Sequence, residues 1–239
     1  MKIIGIESSG LVAGVALWED GVLLGESMTN CKKTHSQTLL PQLERMLAEA
    51  GVKPSEADAI AVASGPGSFT GLRIGSATAK GLGLAIDKPL VEVPTLEGLA
   101  YNLWGAEGIV CPMMDARRSQ VYTGAYAFPR GEDGSITLET VIPGGAIAAV
   151  EAAEHLNALG RPVILLGDGT EVSREILEST LTVPHTYAPA HMNRQRAGSI
   201  AALGAIYLAM GRGISPDDHA PDYMRKSQAE REGPGHFEV

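Results

Sequence analysis

The chain has 239 residues and carries 19 basic against 28 acidic side chains, a formal net charge of −9. Its composition, 44% hydrophobic and 20% charged, is that of an ordinary globular protein and excludes a largely disordered chain. Residues 1–108 hold 8 basic and 12 acidic side chains, and residues 109–239 hold 11 and 16, so neither half offers the cationic face that a phosphate backbone needs.

The chain opens with three strands. Residues 2–8 read as a buried strand, Val12–Trp18 as a second and Val22–Ser27 as a third, with Asp20-Gly21 as a hairpin turn. An amphipathic helix follows the polar stretch Thr29–Ser36. Its stripe is Leu39, Leu40, Leu43, Met46, Leu47 and Ala50. Pro41 fits the first turn of that helix if Thr38 caps it, and marks a kink otherwise. Gly51 ends it. Asp58–Ser64 has the two-sided apolarity of a buried parallel strand, and a glycine-rich turn leads from it into a helix over Leu72–Ile86. Leu90–Val93 is a strand and Thr95–Leu103 a helix.

The second half echoes the first. Ile109–Met114 is a strand ending at Asp115, Val121–Phe128 and Ile136–Ile142 are the next two, and Arg130–Gly134 is a turn. Ala146–Leu159 is helical, Pro162–Leu166 a strand, Glu171–Leu181 a helix and Gly198–Met210 an alanine-rich helix. The expectation is an α/β duplicated fold of two lobes, 1–108 and 109–239, with the final helix free to pack back on the first lobe.

The segment Gly65-Pro66-Gly67-Ser68-Phe69-Thr70-Gly71-Leu72-Arg73-Ile74-Gly75 lies between a buried strand and a helix start. Its glycines allow close backbone approach, and Ser68 or Thr70 can cap the helix. It is not a dinucleotide fingerprint, a Walker loop or a nucleophile elbow: Thr70 replaces the third glycine, Gly-Lys-Ser/Thr is missing, and Pro66 replaces the elbow's first glycine. Two uses remain open, an anion held on the helix N-terminus and a tight strand-to-helix turn. In the next helix Gly75, Ala79 and Gly83 recur every four residues, each interior glycine costing about 1 kcal/mol against alanine. Such a face suits close approach of the protein's own sheet or of a helix from another chain.

Glu7 and Asp115 end the first strand of each half. Facing a common cleft they could hold a magnesium–nucleotide, with Ser8 beside them; ordinary turn capping is the alternative. Cys31 and Cys111, 80 positions apart, make neither a disulfide framework nor a zinc site, and read as two reduced thiols. No two histidines stand four apart: His35 is followed at that distance by Leu39, and no HExxH, CxxC or evident triad occurs. The opening residues Met1–Glu7 read as a strand and not as a secretory signal, and no run approaches the ~20 apolar residues of a membrane span, so a cytoplasmic location is expected.

The sequence resembles the bacterial TsaB (YeaZ) family. The pattern Gly65–Gly75 carries the resemblance. Ile3–Ser9, Thr34-His35-Ser36, Pro94-Thr95-Leu96, Asp115-Ala116-Arg117 with Val121-Tyr122, and Pro221-Asp222-Tyr223-Met224-Arg225 support it in order along nearly the whole chain. The resemblance implies an actin-like/sugar-kinase fold. It implies a non-catalytic subunit that supports TsaD, the metal-bearing transferase of threonylcarbamoyl-adenosine synthesis in tRNA. TsaE, an ATPase, joins them, TsaC makes the threonylcarbamoyl-adenylate, and tRNA is met only through the complex. It implies no tightly bound cofactor, with ATP or ADP and magnesium only in the complex. It places a surface shared by TsaD binding and homodimer formation on the helices Thr38–Ala50 and Leu72–Ile86. The interface residues expected are Leu39, Leu43, Met46, Leu47, Ile74, Gly75, Thr78, Ala79, Leu82 and Gly83. Family members usually carry Asp where this chain has Glu7, and a longer acid displaces any magnesium by about one C–C bond. The competing readings are a stand-alone actin-like ATPase or kinase using Glu7 and Asp115, and a glycoprotease-like peptidase, for which no nucleophile or metal set speaks.

Overall fold

The structure, a computed structural model, describes residues 1–30 and 34–224. Two mixed sheets repeat one plan. In the first, β1 (Lys2–Glu7) pairs antiparallel with β2 (Ala13–Glu19), which pairs with β3 (Val22–Thr29). On its other side β1 pairs parallel with β4 (Ala59–Gly65), and β4 with β5 (Leu90–Pro94). In the second, β6 (Ile109–Asp115), β7 (Gln120–Ala127) and β8 (Glu139–Ala148) form the meander. There β9 (Val163–Leu166) and β10 (His185–Tyr187) add in parallel beyond β6. The orders β5-β4-β1-β2-β3 and β10-β9-β6-β7-β8 match strand for strand, and β11 (Gly213–Ile214) extends the first sheet beyond β5.

Alternation along β1 decides what each face meets. Ile4 and Ile6 point to one side and pack with Leu39, Leu43, Met46 and Leu47 of α1 (His35–Ala50) and Ala79 of α2 (Phe69–Ile86). Ile3 points to the other side and meets α7 (Ala197–Ala209), whose Ile200, Ala201 and Leu203 fill that core. A third core places Leu96, Leu99 and Ala100 of α3 (Thr95–Tyr101) against Val110, Met114 and Leu166 of the second sheet. The far face of that sheet is covered by α4 (Ala149–Leu159) and α6 (Arg174–Thr180), through Ala152, Ala153, Leu156 and Leu177. No helix of the described residues is long and apolar enough to cross a membrane.

Several boundaries differ from the sequence expectation. The helix expected from Thr38 starts at His35 after Thr34, so Pro41 lies well inside it, where it cannot donate to the carbonyl of Gln37. The third strand of the second half runs from Glu139 to Ala148, later than Ile136–Ile142. The helix expected over Glu171–Leu181 is two pieces, α5 (Gly169–Val172) and α6, broken at Ser173. β10 and β11 were not expected; they have three and two residues, too short to show a period. Cys31 and Arg225 lie outside the described residues.

Candidate functional site

The motif loop starts where β4 ends. Gly65 has φ 127°, a conformation that side chains rarely adopt, and a Cβ there would overlap the main-chain oxygen of Asp222. The Gly65–Pro66 peptide is cis, and the Gly65 amide donates to Thr95 Oγ1 at 3.2 Å. Ser68 caps α2: its Oγ accepts from the Gly71 amide at 3.3 Å and its carbonyl from the Leu72 amide at 2.8 Å. α2 thus begins at Phe69, one turn earlier than Leu72.

The turn after β1 packs directly on the motif loop. The Ser68 amide donates to the Ser9 carbonyl at 2.6 Å, and Ser8 Oγ donates to the Gly71 carbonyl at 2.8 Å. A Cβ on Gly71 would strike the Ser8 carbonyl, and one on Gly75 would strike Ser8 Oγ. The glycines of the motif therefore admit the backbone of the β1 turn. The loop is a tight strand-to-helix turn, capped by Ser68 and held by the β1 turn.

Glu7 and Asp115 each accept from the amide two residues on, in the turn that follows their strand. Glu7 is 1% exposed, and its Oε1 accepts from the Ser9 amide at 2.7 Å and from Ser9 Oγ at 2.5 Å. Burial pushes its carboxyl up to about 7, against the lowering effect of the Ser9 and Ser8 hydrogen bonds, and no second carboxylate acts on it. Asp115 ends β6 and accepts from the Arg117 amide at 2.7 Å, with the Arg117 guanidinium 3.6 Å away. The acid that shares its surroundings is Asp168, after β9, whose carboxyl is raised by burial. Of the two readings of Glu7, Ser8 and Asp115, a magnesium–nucleotide cleft and turn capping, the hydrogen bonds present are those of capping: Glu7 accepts from the Ser9 amide and hydroxyl, Ser8 donates to the Gly71 carbonyl, and Asp115 accepts from the Arg117 amide. Among the described residues no group of three or more His, Cys, Asp and Glu could hold a metal ion. Cys111 is buried, its thiol pushed up to about 12 by desolvation, and His35 Nε2 lies 2.9 Å from the Gly10 carbonyl.

The expected interface residues divide. Leu39, Leu43, Met46, Leu47, Gly75, Ala79 and Gly83 are buried in the first lobe, so they cannot form the outer surface of α1 and α2. Gly75 lies on Ser8, and a Cβ on Gly83 would meet Pro216 and Leu90. The small face Gly75–Ala79–Gly83 therefore packs on the chain itself. Ile74, Thr78 and Leu82 are half-buried at its margin. The outward stripe lies two residues further on: Ala77, Gly81 and Ala85 are exposed, Leu84 is 56% exposed, and a Cβ on Gly81 meets open space. On the neighbouring helix Leu40 is 55% exposed.

A segment whose residues 221–225 entered the sequence reading only as support for the resemblance completes the site. After β11, residues 215–224 run as a strap along α2. Lys80 Nζ donates to the carbonyls of Asp217 at 3.2 Å and His219 at 3.0 Å, and His219 Nδ1 sits 2.6 Å from Glu92 Oε1. The Asp222 amide donates to the Ser64 carbonyl at 2.7 Å. The Tyr223 ring packs 4.8 Å from Phe69, and Arg73 lies over Phe69 at 4.0 Å while its Nε donates to Tyr223 Oη at 3.2 Å. The methyl of Met224 closes on Gly144 of β8 and so reaches the second lobe. The motif loop is the junction of four segments: β4, the β1 turn, α2 and the strap.

These features define a class: a two-lobed protein of the actin-like/sugar-kinase fold whose β1 turn is packed on the glycine-rich loop that opens α2. A family model described as TsaD, tRNA N6-adenosine threonylcarbamoyltransferase, matches residues 26–232. The Bacillus subtilis (strain 168) tRNA threonylcarbamoyladenosine biosynthesis protein TsaB is 34% identical over 96% of this chain and 96% of its own. Its Escherichia coli (strain K12) namesake is 29% identical over 98% and 99%. The solved structure of YeaZ from Pseudomonas aeruginosa superposes with a TM-score of 0.76 at 26% identity, over 93% of this chain and 100% of its own. The chain belongs to the TsaB (YeaZ) family, and membership ties it to threonylcarbamoyladenosine modification of tRNA.

Proposed function

We propose that this chain is a non-catalytic subunit of the threonylcarbamoyladenosine machinery, and that the outward face of α1 and α2 receives the catalytic subunit TsaD. One observation carries the reading. Ala77, Gly81, Leu84 and Ala85 leave an apolar, small-residue stripe on α2 open, and Leu40 of α1 is exposed as well. The inward turn of Glu7 and Ser8 supports a supporting role over a stand-alone ATPase, because Glu7 is bonded to Ser9 of its own turn while Ser8 and Ser9 bond the motif loop. On this reading TsaE joins through the complex, tRNA is met through the partners, and ATP or ADP with magnesium is held only with partner residues. In the absence of TsaD the same face pairs two copies of this chain.

Gly81→Arg tests the reading, since the space there is open and the fold should survive. Loss of binding to purified TsaD with a melting temperature no lower than the parent's is the expected result; undiminished affinity overturns it. Nucleoside analysis of tRNA from cells with and without the chain, the latter lacking threonylcarbamoyladenosine, checks the pathway itself.

A further inference from the structure

The open stripe of α2 does not consist of small residues alone. Arg73 stands one turn before Ala77 on the same face and is exposed. Its guanidinium is fixed in three ways: it lies 4.0 Å over the Phe69 ring, 5.9 Å from the Tyr223 ring, and its Nε is used by Tyr223 Oη at 3.2 Å. Among the described residues it has no acidic partner within ion-pair distance. A surface arginine usually loses much side-chain freedom on binding; one already stacked and hydrogen-bonded loses less. With Nε taken, the terminal pair of nitrogens remains as a fork, the arrangement that grips two oxygens of one acid group.

We propose that Arg73 is the charged anchor of the partner face, that Tyr223 of the strap is its positioning residue, and that the fork receives a carboxylate of the partner protein. The proposal rests on the reading of the α1–α2 face given above and adds its polar contact. A carboxylate fits better than RNA phosphate. The strap beside Arg73 carries exposed Asp217, Asp218 and Asp222, and the chain is −9 overall, a field that opposes a polyanion far more than a single acid. The apolar neighbours Ala77, Gly81 and Leu84 would exclude water around the pair, which is where an arginine contributes most to binding. The strap then has a purpose beyond packing. It brings a tyrosine from 150 residues away to aim a side chain of the motif helix.

The test measures affinity and dissociation rate of the full chain for purified TsaD of the same organism, with melting temperature, for Arg73→Ala, Arg73→Lys, Tyr223→Phe and Gly81→Arg. Arg73→Ala is expected to weaken binding roughly tenfold to a hundredfold, mainly by faster dissociation. Arg73→Lys keeps the charge and loses the fork, and should recover little of that loss. Tyr223→Phe keeps the ring and loses the hydroxyl, and should weaken binding roughly threefold to tenfold at an unchanged melting temperature, which a merely structural tyrosine would not do. Arg73→Lys or Tyr223→Phe binding like the parent, while Gly81→Arg abolishes binding, overturns the anchor and leaves the face standing. Undiminished binding by Gly81→Arg removes the face itself, and the anchor with it. If Arg73→Ala instead lowers affinity for unmodified tRNA and spares that for TsaD, the fork serves phosphate and the proposal fails.

Discussion

The two lobes end their first strands with the same device and use it oppositely. β1 finishes at Glu7 and β6 at Asp115, each with an antiparallel neighbour on one side and a parallel one on the other. In the first lobe the following turn folds inward: Glu7 is held by Ser9, and Ser8 and Ser9 are held by the motif loop. In the second lobe the turn stays outside. Arg117, Arg118 and Ser119 are exposed and have φ of 66°, 56° and 57°, a left-handed run that ordinary side chains avoid. Duplication conserves the strand order, whereas the residues that follow the strand decide whether its end is buried or open. Here the first end has become a structural junction, and the helix leaving that junction carries the outward face.

The largest effect expected from breaking the junction comes from Gly75→Val. The new side chain would meet Ser8 Oγ and push the β1 turn off α2, so both the Ser8–Gly71 and Ser68–Ser9 hydrogen bonds would be lost. A destabilisation of about 3 kcal/mol or more is expected in urea unfolding, at the upper end for overpacking. A loss below about 1 kcal/mol would mean that the turn is loosely seated and the junction is not what holds α2.

Glu7→Gln sharpens the contrast between the two acids. The folded-state carboxyl of Glu7 is raised from 4.5 to about 7, so the folded chain binds its proton more tightly than the unfolded chain does. Stability is then full below about pH 4.5, falls as pH rises towards 7, and stays low above it. Burying the carboxylate costs up to about 3 kcal/mol at pH 8 by this linkage. Glutamine keeps an acceptor for Ser9 without the charge. The variant should therefore be more stable than the parent at pH 8, by up to about 3 kcal/mol, and equal to it near pH 4. Asp115→Asn removes only the charge beside the exposed Arg117 guanidinium, a surface pair expected to contribute less than about 1 kcal/mol.

Much of this was legible in the sequence because the signals were local. The two-sided run before Gly65 identified β4, and the apolar stripe marked α1 as a helix, though of its residues Leu39, Leu43, Met46 and Leu47 enter the core while Leu40 and Ala50 are exposed. The duplicated plan followed from two meanders, each ending its first strand in an acid. What escaped was set by contacts across the chain. Gly75, Ala79 and Gly83 form a small face in any helical projection, but a projection does not say which side the sheet lies on. Ser8, 67 positions before Gly75, settles that. Lys80, Arg73 and Phe69 are ordinary helix residues until residues 215–224 cross them, and no period in the strap announces that crossing. Glu7 reads as a ligand or a cap from the sequence alone; only its burial and the Ser9 hydrogen bonds separate the two.

The smallest effect tests that assignment of faces directly. Gly81 and Gly75 lie in the same helix, and a helix-propensity argument treats them alike: alanine should stabilise either by about 1 kcal/mol. Their surroundings differ. A Cβ on Gly81 meets nothing within 4 Å, so Gly81→Ala should stabilise the isolated chain by about 0.5–1 kcal/mol. On Gly75 the same methyl would contact Ser8 Oγ, and the gain in propensity should be outweighed by the displaced turn. Opposite signs for the two alanines, read from urea midpoints at constant slope, place the sheet on one side of α2 and solvent on the other. The Gly81 methyl is also small enough to probe the proposed partner face. If that face packs closely against another helix, Gly81→Ala should weaken TsaD binding while it stabilises the free chain. Stabilisation without weakened binding would leave room at the contact for a methyl group and confine the close approach to Ala77 and Ala85.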